Sequence, residues 1–158
     1  MLTTRYKELD DIDIRIINEL KNNARIGVRE LARKIGKAPS TILARLKRLE
    51  ELGIIKGYVT LIDYRSLGYQ VTALTLLQVD GAHIEEIEAK LAAEPNVRAV
   101  YDITGEYDVA IISVFKDVNE LDKFIKRILK LPYIKRSVTS IVFRIVKDSP
   151  HINRVITI

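Results

Sequence analysis

The stretch PSTILARLKRLEELGIIKGYVTLID, residues 39–63, decides the fold of the first part of the chain. Pro39 stands where a helix can begin, and Gly53 stands where it ends. The apolar stripe of this helix consists of Ile42, Leu46, Leu49 and Leu52. The following residues are rich in β-formers and predict a wing that bends at Lys56–Gly57. A helix with a wing behind it is the second half of a winged helix-turn-helix.

Two shorter amphipathic patterns precede this stretch. The first follows Asp10–Asp11, an acidic pair that favours a helix N-terminus, and it ends near Asn22–Asn23. The second ends at Gly36, where a left-handed C-cap is expected. Their apolar positions are Ile12, Ile16, Ile17 and Leu20 in the first, and Val28, Leu31, Ala32 and Ile35 in the second. We therefore predict a winged helix-turn-helix domain over residues 1–62, with a hinge at about residues 60–68.

The helix that begins at Pro39 has the features of a recognition helix. Opposite its apolar stripe lie small, hydroxyl and basic side chains. Small residues let a helix approach a major groove, hydroxyls contact base edges, and an apolar side chain can contact a thymine methyl. We predict DNA contacts from Lys37, Pro39, Ser40, Thr41, Leu43, Ala44, Lys47, Arg48 and Lys56, the last three holding phosphates. The alternative is a charged surface helix or a coiled-coil seam.

The positive charge lies in the same region. Residues 1–60 contain 13 Lys and Arg against 8 Asp and Glu, so they carry the whole formal net charge of +5. A basic unit joined to a neutral one is typical of a polyanion binder with a second function. A solvated, lysine-rich surface would give the same balance.

Composition argues against several other classes of protein. The chain has 0 Cys and 2 His, which removes disulfides, thiolate metal sites and a Cys nucleophile. We see no constellation for catalysis, so we predict no catalytic residues, no metal, no cofactor and no enzyme. The longest apolar runs, such as Val71–Val79 and Val109–Phe115, have the length of strands. With no secretory signal either, we expect a cytoplasmic protein without a membrane partner.

The periodicity changes after residue 68. The predicted elements are a strand at Gln70–Val79, a helix before Pro95, strands at Val97–Thr104 and Tyr107–Phe115 around Gly105–Glu106, a helix before Pro132 and a strand at Val138–Val146. This order predicts a ferredoxin-like βαββαβ domain over residues 69–158, and an α+β fold class for the chain. In the tail, Val155–Ile158 suits either an edge strand or packing on a neighbour.

One strand indicates self-association. In Tyr107–Phe115, both faces of the strand are apolar from residue 109 onward. The two helices of a βαββαβ domain cover one face of the sheet, so the second face should be polar if it met water. We therefore predict a homodimer through this domain, which also gives two recognition helices for two half-sites.

Taken together, these segments resemble the leucine-responsive regulator/AsnC (Lrp/AsnC) family, also called feast/famine regulators. The resemblance covers about residues 8–147. It rests on LDDIDIRIINEL, RIGVRELARKIG, PSTILARLKRLEELGIIKGYVTLID, ITGEYDVAIISV and LPYIKRSVTSIV, in that order. One departure is Ala38, which gives the helix at Pro39 no side-chain cap where many members have Ser.

The resemblance implies a sequence-specific, DNA-binding transcriptional regulator that assembles from dimers into tetramers or octamers. It also implies an amino acid or related small molecule as the effector, bound between dimers. The effector residues would be Gly105, Glu106, Tyr107, Asp108, Ser137 and Thr139. There a carboxylate can hold an α-ammonium, while backbone N–H groups and hydroxyls can hold an α-carboxylate. The residues alone also allow a plain hairpin in which Asp108 accepts turn amides.

Two other functions remain open on the sequence. An architectural protein that wraps DNA without an effector would carry the same basic unit. Some relatives of the family are sirohaem decarboxylases with the same two domains, but the basic DNA-reading face and the scarcity of histidine count against that activity here.

Overall fold

The computed structural model describes residues 9–152 and 155–157, which form two compact units. The N-terminal unit runs through Leu61 and includes the tail from Asp148, and the sheet unit comprises Ile62–Lys147. The predicted α+β class, a helix-turn-helix followed by an antiparallel sheet with helices, is confirmed. The tail departs from the predicted boundary of residues 69–158. It lies with the N-terminal unit because the side chain of Asn18 hydrogen-bonds the backbone of Ile156.

The N-terminal unit consists of three helices: α1 (Asp11–Asn22), α2 (Val28–Ile35) and α3 (Pro39–Glu51). Asp10 caps α1, because its side chain accepts from the backbone N–H groups of Ile12 and Asp13, both at 3.0 Å. In return, the Asp10 N–H donates to the Asp13 side chain. This reciprocal capping box satisfies N–H groups that a helix end leaves open. The helices pack around a core of Ile16, Ile26, Leu31, Ala32, Ile35, Ile42 and Leu49.

The predicted wing is not formed as a pair of strands. Residues 56–63 have no assigned secondary structure, and among the described residues none is paired with them in a sheet. An extended segment needs a hydrogen-bonded partner to become a strand, and a two-residue bend at Lys56–Gly57 leaves short arms for an isolated hairpin. Tyr58 instead donates to Glu50 at 2.9 Å, and burial together with this bond raises the pKa of Tyr58 to about 12.

The sheet unit has the predicted βαββαβ order. Its elements are β1 (Val71–Val79), α4 (Ile84–Ala92) after a short 3₁₀ turn, β2 (Val97–Asp102), β3 (Val109–Phe115), α5 (Val118–Ile128) and β4 (Ile134–Ile141). The strand order is β2-β3-β1-β4, and every neighbouring pair is antiparallel. None of the helices within the described ranges is long and apolar enough to span a membrane.

Two strand predictions are wrong at their ends. The last strand was expected at Val138–Val146, but β4 begins at Ile134 and ends at Ile141, where its register with β1 ends at Ala73. The Val142 N–H still donates to the Thr72 carbonyl, at 2.8 Å. The β2–β3 hairpin loop is also longer than Gly105–Glu106, since β2 ends at Asp102 and β3 begins only at Val109.

The two faces of the sheet differ in what covers them. On one face, alternate residues of β1 and β3 pack with α4 and α5 around the fully buried Leu77, Ile87, Ile111 and Phe124. The opposite side, here called the outer sheet face, presents Leu74, Leu76, Ala110, Ile112 and Val138. Leu74 and Val138 are each 38% exposed. This apolar face therefore meets solvent in a single chain, where an antiparallel sheet would normally be polar.

Candidate functional site

A tight turn directs α3 away from α2. Gly36 ends α2 with φ 75°, a left-handed conformation that glycine adopts without strain. The N–H groups of Gly36 and Lys37 both donate to the Ala32 carbonyl, at 2.8 and 3.0 Å. As expected, Ala38 makes no side-chain cap bond, and Pro39 occupies the first turn of α3. The first-turn N–H groups of α3 thus have no side-chain acceptor at the cap and can bind an anion.

The structure places most of the predicted DNA contacts on one exposed surface, here called the α3 face. It consists of Lys37, Pro39, Ser40, Thr41, Leu43, Ala44 and Lys47, all of them exposed. Leu43 is 59% exposed, although it is a large apolar side chain. Lys47 lies 3.7 Å from Glu51 one turn later, and both side chains are largely solvated. Lys56 is also exposed, in the segment that follows α3.

Arg48 differs from the other predicted contacts. Its side chain is 38% exposed, and its Nη1 donates to Asp13 at 2.9 Å. The guanidinium is therefore drawn toward α1, whereas our prediction had it holding a DNA phosphate.

Behind the α3 face lies a charged cluster that the sequence analysis missed, formed by Asp10, Asp13, Arg45 and Arg48. Asp13 is fully buried, and both of its carboxylate oxygens accept from Arg45 Nη1 at 3.2 Å. Arg45 also donates to Asp10. Desolvation alone would raise the pKa of Asp10, but bonds from the Asp13 N–H and from Arg45 outweigh it and lower that pKa. The cluster ties the middle of α3 to the first turn of α1.

In the sheet unit, the β2–β3 hairpin loop meets the end of β1. The Asp108 N–H donates to the Leu77 carbonyl at 2.9 Å, and Asp108 Oδ2 accepts from the Val79 N–H at 2.7 Å. That bond lies where the register between β1 and β4 shifts, at Gln78 and Val79. Asp108 thus accepts from the backbone of β1, whereas the plain-hairpin interpretation had it accept turn amides, and Gly105 turns the loop at φ 123°.

The other predicted effector residues lie around the same end of the sheet. Glu106 is bound by Arg136 Nη1 at 2.9 Å, and the Arg136 guanidinium lies 5.7 Å from the centre of the Tyr107 ring. On β4, Ser137 pairs in register with Leu77, whose carbonyl binds the hairpin. Thr139 shares a 3.0 Å hydrogen bond with the buried Thr75. The structure therefore brings the hairpin and β4 together. It also adds Arg136 to the predicted residues, and the basic side chain two residues after Ile134 was the feature of the sequence that could have indicated it.

His83 and His151 belong to no metal-binding group in the described part of the chain. His83 stacks on Tyr133 with ring centroids 3.5 Å apart, and its Nδ1 lies 3.4 Å from Glu86. Over residues 9–152 and 155–157, no group of three or more His, Asp or Glu side chains is arranged to hold a metal ion.

Comparison with known proteins gives two family matches that together span most of the chain. Residues 9–56 match a family described as winged helix-turn-helix DNA-binding, and residues 72–152 match one described as the Lrp/AsnC ligand binding domain.

Similar proteins carry both parts. An HTH-type transcriptional regulator of Pyrococcus furiosus, itself uncharacterized, is 36% identical over 141 residues, which is 89% of this chain and 95% of that protein. The regulator Ptr1 of Methanocaldococcus jannaschii is likewise 36% identical, over 89% of this chain and 95% of its own. Among solved structures, LrpC of Bacillus subtilis is 32% identical with a TM-score of 0.78, over 88% of this chain and 97% of its own. A Neisseria meningitidis regulator in complex with L-Met is 28% identical with a TM-score of 0.84, over 90% and 94%.

Proposed function

The chain belongs to the Lrp/AsnC family of DNA-binding transcriptional regulators, and from this premise we propose that its α3 face reads DNA as a homodimer under the control of an amino acid. As its relatives are transcriptional regulators, the chain is a regulator and not an enzyme. Its work on DNA would take place in the cytoplasm. The observation that carries the DNA-reading proposal is an exposed α3 face backed by a charged cluster around the buried Asp13.

The α3 face suits a major groove because its side chains differ in what they can contact. Ser40 and Thr41, in the first turn of α3, offer hydroxyls to base edges, and Leu43 offers an apolar surface for a thymine methyl. Lys37, Lys47 and Lys56 are exposed and would hold phosphates, which position the helix. Because Arg48 binds Asp13, we propose that it stiffens α3 and contributes less to phosphate binding than the lysines.

Binding to DNA should be steeply dependent on salt. If each protomer neutralises ~4 phosphates, a dimer should show a log–log slope of roughly −7. In Lys47→Ala that slope should become shallower by about 2, because two lysines are lost per dimer. Fluorescence anisotropy at several salt concentrations measures this, with a fragment from upstream of the gene that encodes the chain and a random fragment of the same length.

Lys126→Ala is the matched control for this experiment. Lys126 is also an exposed lysine paired with an acid one turn away, but it lies on α5. Its removal should leave the slope unchanged. Equal slopes for Lys47→Ala and the unchanged protein would contradict the proposed phosphate contact. Equal affinity for both fragments would favour an architectural protein that wraps DNA.

We propose that dimers form through the outer sheet face. Leu74 pairs with Ile112 on β3 and Leu76 pairs with Val138 on β4, which gives a two-fold partner an apolar surface to bury. Dimers of the Lrp/AsnC type then assemble further into tetramers or octamers.

We propose that the effector site is the hairpin with its β4 neighbours: Gly105, Glu106, Tyr107, Asp108, Ser137 and Thr139. The L-Met complex of the Neisseria meningitidis regulator supports an amino acid as the ligand class. The ion pair between Glu106 and Arg136 is 2.9 Å long and exposed, so a zwitterion can enter it. The α-ammonium would replace Arg136 at Glu106, and the α-carboxylate would meet Arg136 and the hydroxyls of β4.

Removal of the Glu106 charge should therefore weaken effector binding. In Glu106→Gln we expect the affinity for the responsive amino acid to fall by about 10-fold or more, the worth of one charge-assisted hydrogen bond. Isothermal titration calorimetry with each common amino acid measures this. Glu94→Gln is the control because it removes the same charge from an ion pair, with Arg127, that lies outside the proposed site. The same loss in both variants, or in neither, would contradict the assignment.

A further inference from the structure

The C-terminal tail returns to the unit in which the chain begins. β4 ends at Ile141, yet the residues from Asp148 group with the N-terminal unit. The N-terminal unit is thereby connected to the sheet unit at both of its borders, after Leu61 and before Asp148.

The tail is held by a two-point contact with α1. Asn18 Nδ2 donates to the Ile156 carbonyl at 2.9 Å, and the Ile156 N–H donates to Asn18 Oδ1 at 3.0 Å. A primary amide carries a donor and an acceptor side by side, so Asn18 can pair with one residue of the tail much as a neighbouring strand would. Both contacts are partly buried, whereas the bonds of Arg15 and Glu19 on the same helix are exposed.

The burial pattern fits a strand lying on α1. Ile156 is half-buried while Val155 and Thr157 on either side are exposed, the alternation of an extended segment with one side turned inward. One turn before Asn18 on the same side of α1, Ile14 is 7% exposed. Among the described residues, Ile14 is not part of the core cluster of the three helices, so the surface that it shares with Asn18 needs a separate cover.

From these observations we propose that the face of α1 formed by Ile14 and Asn18 is a docking site for the tail of the same chain, centred on Ile156. The docked tail leaves the α3 face open, since Leu43 remains 59% exposed with the tail in place. The tail therefore acts as a brace rather than as a lid. We expect the brace to limit the orientations that the N-terminal unit can adopt, so that less conformational freedom is lost when two such units bind one DNA duplex.

A disulfide tests the docking without reference to DNA. The chain contains 0 Cys, so a pair introduced as Asn18→Cys with Ile156→Cys has no background. Disulfides require Cα atoms within about 7 Å. We expect rapid oxidation within single chains, seen by intact mass spectrometry after mild oxidation at low protein concentration. The control pairs Ile156→Cys with Glu30→Cys, on the exposed surface of α2. A bond between two chains, or oxidation no faster than in the control, would overturn the proposal.

The bracing role has its own readout, which rests on the proposed DNA binding. Asn18→Ala, and separately a chain ended after Arg154, should each weaken binding to a duplex with two half-sites by on the order of tenfold. The two changes combined should cost no more than one, because they remove the same contact. Asn22→Ala, an exposed position on α1, should bind as the unchanged protein does. Full affinity in both the Asn18 and the shortened variants, with the disulfide formed, would refute the brace while leaving DNA binding intact.

Discussion

Asp13→Asn is expected to lower the unfolding free energy of the N-terminal unit by about 3 kcal/mol, at the low end of the range for breaking a buried ion pair. Asp13 is fully buried and accepts from Arg45 and Arg48 together, at 3.2 and 2.9 Å. An asparagine of the same shape has no charge, and its amide turns a donor toward guanidinium donors. The side chains of Arg45 and Arg48 are 28% and 38% exposed, so water can replace part of the hydrogen bonding that they lose.

Hydrogen exchange of the α1–α3 amides measures this loss of unfolding free energy for the N-terminal unit alone. A global unfolding transition would combine the contributions of the two units. Asp11→Asn is the matched control, because Asp11 is exposed in the same first turn and interacts mainly with the helix dipole. That change should cost only about 0.3–1 kcal/mol. If both variants lose the same stability, the cluster does not hold α3 to α1.

Ile112→Glu is expected to separate the proposed dimer into monomers at micromolar concentration, a loss of at least about 100-fold in association. Ile112 lies at the middle of the outer sheet face, paired in register with Leu74 on β1 and Ala99 on β2. Two-fold symmetry would put two carboxylates into one apolar contact. Sedimentation equilibrium measures the change in association.

Val118→Glu makes the same chemical change at a 56% exposed position in the first turn of α5, and it should leave the dimer unaffected. The monomeric variant should also bind a duplex with two half-sites on the order of 100-fold more weakly, because the second unit no longer binds from a tethered position. A monomer in the unchanged protein, or a dimer that survives Ile112→Glu, would contradict the interface.

Local patterns were enough to predict the helices and the order of the strands. Gly36 and Pro39 bracket a turn that only a few backbone conformations allow, and the apolar spacing of α1 to α3 leaves one way to build a common core. The α3 face followed directly, because residues opposite a buried stripe must be exposed.

Contacts distant in sequence escaped prediction. In the sequence, Arg45 and Arg48 have the pattern of surface cations. In the structure both bind the buried carboxylate of Asp13 on α1, which lies 32 residues before Arg45 and 35 residues before Arg48. The bounds of β4 depend on its pairing with β1, more than 50 residues earlier, and the tail is bound by one amide, Asn18. Residues 56–63 pair with no strand among the described residues for the same reason, since a β-rich segment becomes a strand only where a partner is present.

The strand order β2-β3-β1-β4 also has a consequence for the time course of synthesis. The three helices form a core from neighbouring segments, so the N-terminal unit can fold while the rest of the chain is still being made. β1 must wait with one open edge until β4, the last strand made, arrives beside it. The tail follows β4 from the ribosome, so its bond to α1 closes last. A chain in which that bond is present is therefore a chain whose four strands have all been synthesised.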